Sequence, residues 1–162
     1  MKATTADLSD ANPQVQIAEP MFRDFGRLRT FHGPVVTVKV FEDNALVRVL
    51  LEEPGAGRVL VIDGGGSMRC ALVGGNLAEL GVKNGWQGLI VFGCIRDSSE
   101  ILELAIGVKA LATHPRKSEK GLHTGHRDRA VTFAGLTFKS GQWLYADPDG
   151  ILISAVRLQV PD

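Results

Sequence analysis

The chain has 162 residues, 44% of them hydrophobic, with 18 Lys+Arg against 18 Asp+Glu and a formal net charge of zero. That is enough apolar material for the core of one ordinary domain, taken here as 1–162, without disulfides or metals as staples. Balanced charge with no long run of one sign excludes the electrostatic footprint of a direct nucleic-acid or membrane-surface binder. No apolar run approaches the roughly 18 residues that a membrane span needs, and no leader pattern opens the chain. Cys70 and Cys94 sit in apolar segments without metal-ligand spacing and read as buried free thiols of a reducing compartment, the cytoplasm.

Taken in order, Thr4 to Asn12 predicts a short helix, with Thr5 or Asp7 as its cap and Pro13 as its stop. Phe22, Phe25 and Phe31 then lie among arginines and glycines, in a loop suited to pinning aromatics onto a core. After Gly33-Pro34, the β-branched run from Val35 to Val40 predicts a strand. Asn44 is placed to cap a helix over 45–53 with Leu46, Val49 and Leu50 inward. Arg58 to Ile62 reads as a buried strand closed by Asp63 and Gly64-Gly65-Gly66. A helix over 76–83 follows with Leu77, Leu80 and Val82 inward, then a buried strand over 89–92, a helix over 98–104 and a strand over 108–113. This alternation predicts an α/β fold with a parallel component. Functional loops gather at C-terminal strand ends in such folds, which is where Asp63 to Gly66 and Gly93 to Asp97 lie. The basic stretches around Arg27 and Arg29 and from Pro115 to Lys120 are expected to be solvated turns, and Lys117 to Asp128 an exposed loop. Short strands over 131–133, 136–138, 143–146 and 151–153, separated by turn residues, predict a β-meander.

Two constellations suggest chemistry. Gly74-Gly75-Asn76 precedes the helix that begins near Leu77, and backbone N–H groups at a helix start are unpaired and electropositive, so a carboxylate or phosphate can dock there. Alternatively, Asn76 is a simple cap and the glycines only turn the chain. Arg96-Asp97 follows a buried strand. Asp97-Ser98-Ser99-Glu100 fits a helix-capping pattern; facing a cleft, Asp97 instead suits Mg²⁺ or Mn²⁺ and Arg96 offers a planar fork to a carboxylate or enolate oxygen. His123-x-x-His126 shows no third ligand and reads as surface. Gly64-Gly65-Gly66 matches neither a Walker loop nor a dinucleotide fingerprint, and no pattern for covalent catalysis is present.

The stretches EPMFRDFG from Glu19, FHGPVVTVKVFEDNALV from Phe31, GRVLVIDGGGSMRCALVGGNLAELGVKNGWQGLIVFGCIRD from Gly57, IGVKALATHPRKS from Ile106 and VTFAGLTFKSGQWLYADPDGILIS from Val131 resemble, over nearly the whole chain, the family of the regulator of ribonuclease E activity A. That family includes class II aldolases for 4-hydroxy-4-methyl-2-oxoglutarate and 4-carboxy-4-hydroxy-2-oxoadipate. The resemblance implies a β/β/α swivelling-type (phosphohistidine-domain-like) fold with mixed sheets, a ring-shaped homotrimer, a divalent metal (Mg²⁺ or Mn²⁺) and a pyruvate-forming reaction on a small 2-oxo acid. By the same resemblance Gly74, Gly75, Asn76 and Leu77 bind substrate, Arg96 binds substrate and is catalytic, and Asp97 binds the metal.

Three departures accompany it. The aldolase pattern places an aspartate, then twenty residues, before Arg-Asp, and this chain has Gly75 at that place; restoring aspartate there is expected to raise activity. The larger aldolases draw an acid from a neighbour's C-terminal extension, whereas this chain stops at Asp162. Arg27 follows Gly26 where a second glycine is usual. Two functions are therefore expected: a metal-dependent lyase acting on 4-hydroxy-4-methyl-2-oxoglutarate, with oxaloacetate decarboxylation beside it, or a non-catalytic trimeric inhibitor of ribonuclease E. An inhibitor that bound a basic segment of that enzyme would call for an acidic groove.

Overall fold

In the computed structural model, which describes residues 2–122 and 124–160, the first element is α1 (Thr5–Ala11). Its cap is Thr4, neither Thr5 nor Asp7: the Thr4 hydroxyl accepts from the Asp7 amide and the Asp7 carboxylate accepts from the Thr4 amide. Two short strands, β1 (Gln16–Ile17) and β2 (Arg23–Asp24), lead to β3 (Phe31–Lys39), which begins ahead of the Gly33-Pro34 pair expected to open it. The next helix, α2 (Ala45–Glu52), buries Val47, Leu50 and Leu51, while Val49, expected inward, is 50% exposed. The start of this helix is set by Asp43, whose carboxylate accepts from the Ala45 amide at 2.8 Å, while Asn44 donates its side chain to the Leu72 carbonyl.

β4 (Val59–Asp63) and β6 (Gly88–Ile95) enclose in sequence a short strand that composition did not reveal, β5 (Ala71–Val73), and the helix α3 (Gly75–Lys83). After β6 comes a single turn, α4 (Ser98–Ile101), shorter than the helix expected to reach residue 104, and then β7 (Gly107–Thr113). The chain closes with β8 (His126–Arg127), β9 (Val131–Phe133), β10 (Leu136–Phe138), β11 (Trp143–Asp147) and β12 (Gly150–Ser154). His123, one half of the His123-x-x-His126 pair, lies outside the described residues.

The large sheet runs β1-β12-β11-β3-β4-β6-β7-β2, with β5 added to β6 and β8 to β3. Strands β3, β4, β6 and β7 are parallel. β3 serves two regimes: 31–34 pair antiparallel with β11 and 35–39 pair parallel with β4. The expected meander is divided. β11 and β12 form a hairpin inside the large sheet, and β9 and β10 form a separate one. Packing explains the split, because Val131, Phe133, Leu136 and Phe138 cover one face of the sheet, against Val35, Val59, Val61 and Ile90. Phe133 is stacked there between Phe92 and Phe138, with centroids 4.7 and 4.6 Å away. The opposite face, carrying Val36, Leu60, Ile62 and Val91, receives α2 and α3 through Leu50, Leu51, Leu77 and Ala78. Hairpin, sheet and helices thus make an α/β fold of the β/β/α swivelling kind. Burial on both faces is why β4 and β6 read as unbroken apolar runs.

Asp147, only 4% exposed, ties α1 to the sheet by accepting from both the Thr5 amide and the Thr5 hydroxyl at 2.7 Å. Burial opposes its charge, but the bonds from Thr5, Asp149 and Gly150 outweigh it and hold the carboxyl below its usual range. A carboxylate with a depressed folded pKa contributes stability that is present above the unfolded pKa and is lost as pH falls through the folded one. Acidification below the ordinary carboxylate range is therefore expected to release α1. Hydrogen exchange should show residues 5–11 losing protection before the central strands, and Asp147→Asn should cause the same loss at neutral pH. Undiminished protection in that variant would contradict the tether.

Candidate active site

The C-terminal ends of β5 and β6 lie side by side, since Ala71 pairs with Cys94 and Val73 with Ile95. Each strand delivers one loop. After β5 the chain enters α3 at Gly74, an extended residue with no side-chain cap. The first helical bond there runs from the Ala78 amide to the Gly74 carbonyl, so the amides of Gly75, Asn76 and Leu77 lie ahead of helical pairing. After β6 the chain turns at Arg96 and Asp97, with the Arg96 amide bound to the Val73 carbonyl at 2.9 Å.

Asp97 has a left-handed backbone, φ +56° and ψ +41°, uncommon for a residue with a side chain and a conformation that concentrates at functional sites. Its carboxylate does not cap α4. It reaches across instead, and Oδ2 accepts from the Gly75 amide at 2.9 Å. The capping alternative for Asp97 is thereby settled against, and of the three unpaired amides at the start of α3 those of Asn76 and Leu77 remain for a ligand. Arg96 is half-buried; its stem lies along Gly74, and Nη1 makes one long contact, 3.4 Å, to the Pro115 carbonyl. A side chain at Gly74 would displace both residues, because a Cβ there would stand 2.9 Å from Asp97 Oδ2 and 3.4 Å from Arg96 Cγ.

Gly74, Asn76, Leu77, Arg96 and Asp97 line one cleft of about 110 Å³. The other glycine loop does not join it. The Gly64 and Gly66 amides both bind the Phe92 carbonyl, at 3.0 and 3.1 Å, which draws that loop onto β6. The segment from Arg116 to Lys120 exposes Arg116, Lys117, Glu119 and Lys120 as expected, but its backbone is bonded to Ala71, Glu42 and Asn44, Ser118 is buried, and Lys117, Ser118 and Lys120 line the cleft. Cys70 and Cys94 are free and buried as expected, and burial pushes both thiols up from their ordinary range.

A family model described as RraA-like, Aldolase/RraA, matches residues 5–153. The chain belongs to the RraA-like family. A relative from Alkalilimnicola ehrlichii, named "Putative 4-hydroxy-4-methyl-2-oxoglutarate aldolase", is 59% identical over 156 residues, covering 95% of this chain and 96% of that protein. Among solved structures, the RNA-processing inhibitor RraA from Thermus thermophilis superposes with a TM-score of 0.95 at 46% identity, covering 98% of this chain and 96% of that one. A protein from Geobacillus kaustophilus, named S-adenosylmethionine:2-dimethylmenaquinone methyltransferase, reaches 0.94 at 45% identity, covering 96% and 97%.

Within this RraA-like fold, the gap at Gly75 is filled from elsewhere. A Cβ built on Gly75 would run into Glu100 Oε2 and stand 2.7 Å from its Cδ, so the Glu100 carboxylate already occupies the space into which an aspartate at 75 would project. Sequence reasoning assigned Glu100 to a cap and missed this. The three-residue spacing from Asp97 was the available signal, since it suits one face of a helical turn as well as it suits a capping box. Among the described residues no group of three or more His, Cys, Asp or Glu side chains could hold a metal ion. Two oxygen ligands are nonetheless the kind of set on which Mg²⁺ sits, with water and substrate completing its shell, and Asp97 with Glu100 beside it fits that description.

Proposed function

We propose that this chain is a divalent-metal-dependent lyase that cleaves 4-hydroxy-4-methyl-2-oxoglutarate to pyruvate and also decarboxylates oxaloacetate. The observation that carries the reading is the convergence of Arg96, Asp97 and the start of α3 at one cleft, with the Glu100 carboxylate behind it against Gly75. In the aldol cleavage the C4 hydroxyl gives its proton to solvent water, and the C3–C4 bond breaks with its electron pair forming the C2–C3 double bond and charge moving onto the 2-oxo oxygen. The products are one pyruvate and the enolate of a second, which takes a proton from water at C3. Oxaloacetate reaches the same enolate by losing carbon dioxide. The Asn76 and Leu77 amides hold the carboxylate next to the 2-oxo group. Arg96 supplies N–H donors to the oxygen on which charge develops. A Mg²⁺ or Mn²⁺ ion held by Asp97, with Glu100 adjoining, would supply Lewis-acid polarisation of the 2-oxo acid.

The inhibitor reading draws less support from this cleft. Among the described residues, Arg48, Arg96, Lys117 and Lys120 face a single lining carboxylate, Asp97, a sign that repels a basic segment of ribonuclease E. A methyl-transfer reading asks for a glycine loop with free amides to cradle a nucleoside, and the Gly64 and Gly66 amides are bound to Phe92. We also infer a homotrimer in the cytoplasm; the exposed Phe41 and Met68 offer apolar surface for self-association, and light scattering at three times 17.4 kDa is the mass expected. Purified protein should release pyruvate from both substrates with Mg²⁺ or Mn²⁺ and stop when the metal is chelated. Release no faster than the protein-free blank would sink the lyase reading.

A further inference from the structure

One peptide group beside the cleft is held from both of its edges. Strand β7 ends at Thr113, which pairs with Ile95, and the His114 amide donates to the Ile95 carbonyl at 2.9 Å. His114, Pro115 and Arg116 therefore run alongside the turn that carries Arg96. There the Arg116 amide donates to Nδ1 of His114 at 3.1 Å, and Nη1 of Arg96 donates to the Pro115 carbonyl at 3.4 Å. That N–H and that carbonyl belong to the same peptide group.

A peptide group is planar, and in its trans form the N–H and the C=O point in opposite directions. Fixing one edge therefore fixes the other. His114 bonds the N–H edge, so the carbonyl edge is turned toward Arg96 and cannot swing away without breaking the imidazole bond. An N–H that donates also leaves its carbonyl the better acceptor, because linked hydrogen bonds polarise one another. The Arg116 carbonyl, next along the chain, accepts from the Ala71 amide at 2.8 Å and anchors the turn on β5.

The imidazole does this in one form only. Nδ1 accepts a hydrogen bond, so the ring proton is assigned to Nε2. Side chains that bond a backbone amide two residues on are most often those of Asn and Asp, and His114 takes that place in this turn.

Arg96 depends on such support because little else orients its far end. Its stem lies along Gly74, whereas the Pro115 carbonyl is the one hydrogen-bond partner of its guanidinium among the described residues. A long side chain held at the stem alone keeps much of its rotamer freedom. The contact at one edge restricts that freedom and leaves the other N–H donors for an oxyanion.

We propose that His114 is a positioning residue: by holding the peptide between Pro115 and Arg116 through Nδ1, it aims the carbonyl that orients the Arg96 guanidinium at the cleft. It acts through Arg96, and the proposal rests on the lyase reading only for the chemistry that Arg96 performs.

The test uses His114→Leu, which removes the acceptor, and His114→Asn, whose amide oxygen can accept from the same N–H two residues on. NMR relaxation of the Arg96 Nε–H group reads positioning without turnover. It should show a more mobile side chain in His114→Leu and wild-type order in His114→Asn. Imidazole nitrogen shifts of the wild type should place the His114 proton on Nε2. In activity, His114→Leu should lower kcat for pyruvate release about tenfold, as a misdirected catalytic group does, and His114→Asn should stay within about twofold of wild type. In an Arg96→Met background the leucine change should cost nothing further, whereas a general structural defect would add to the loss. A proton on Nδ1, unaltered Arg96 mobility in His114→Leu, or losses that add would overturn the proposal. Failure of the lyase reading looks different: no metal-dependent pyruvate release from the wild type, with Arg96 mobility still set by His114.

Discussion

Replacing Arg96 with methionine is expected to lower kcat for pyruvate release by about a hundred- to a thousandfold, the usual effect of removing one donor aimed at a developing oxyanion. The same change should leave the melting temperature nearly unaltered. The Arg96 backbone is held independently of its side chain, by the amide bond to Val73. Beyond its contact with Gly74, the guanidinium makes, among the described residues, a single long hydrogen bond to the Pro115 carbonyl, so little of the fold depends on it. Arg96→Lys should recover only part of the rate, because an ammonium keeps the charge but loses the planar pair of donors. Asp97→Asn makes the useful contrast. Its amide oxygen can still accept from Gly75, preserving the start of α3, while the lost charge should raise the Mg²⁺ concentration needed for half-maximal activity. Arg96→Met should not move that concentration. An unaltered kcat in Arg96→Met would remove Arg96 from the reaction.

What could be read from sequence depended on how local the deciding interaction is. β4 and β6 were legible because burial on both faces leaves a run of apolar residues with no alternation. The inward stripe of α2 was misjudged by one position because its start is fixed by the Asp43 carboxylate, with Asn44 engaged elsewhere. The stretch from Arg116 to Lys120 reads as solvated basic chain and is exposed except at Ser118, yet nothing in its composition announces its backbone bonds to Ala71, Glu42 and Asn44, residues far upstream. At the site, Gly74, Gly75 and Asn76 stand out as a glycine-bearing helix entry and Arg96 with Asp97 as charges after a buried strand, whereas the role expected of Leu77 rests on the family resemblance alone. The reach of Asp97 toward Gly75 follows from a left-handed backbone at Asp97 that no residue type nearby demands.

Glu100 leads to the last expected result. Glu100→Ala should reduce metal-dependent pyruvate release by about 10–100-fold, the typical loss on removing a carboxylate that supports a metal site. Adding Gly75→Asp to that variant should restore most of the rate, since the new side chain would enter the space that Glu100 had filled. Gly75→Asp alone should bring no gain and a measurable loss: its Cβ would press on the Glu100 carboxylate, and two like charges would compete for one place beside Asp97. Backbone strain is not an obstacle, because Gly75 is the first residue of α3 and does not occupy the left-handed region. An aspartate in that turn also gains about 0.3–1 kcal/mol from the helix dipole. The four proteins form a double-mutant cycle, and the expected signature is strong non-additivity, with each single change harmful and the pair nearly neutral. Losses that simply add would show that Glu100 does not stand in for the missing carboxylate, and Asp97 would then have to hold the cation with water and substrate alone.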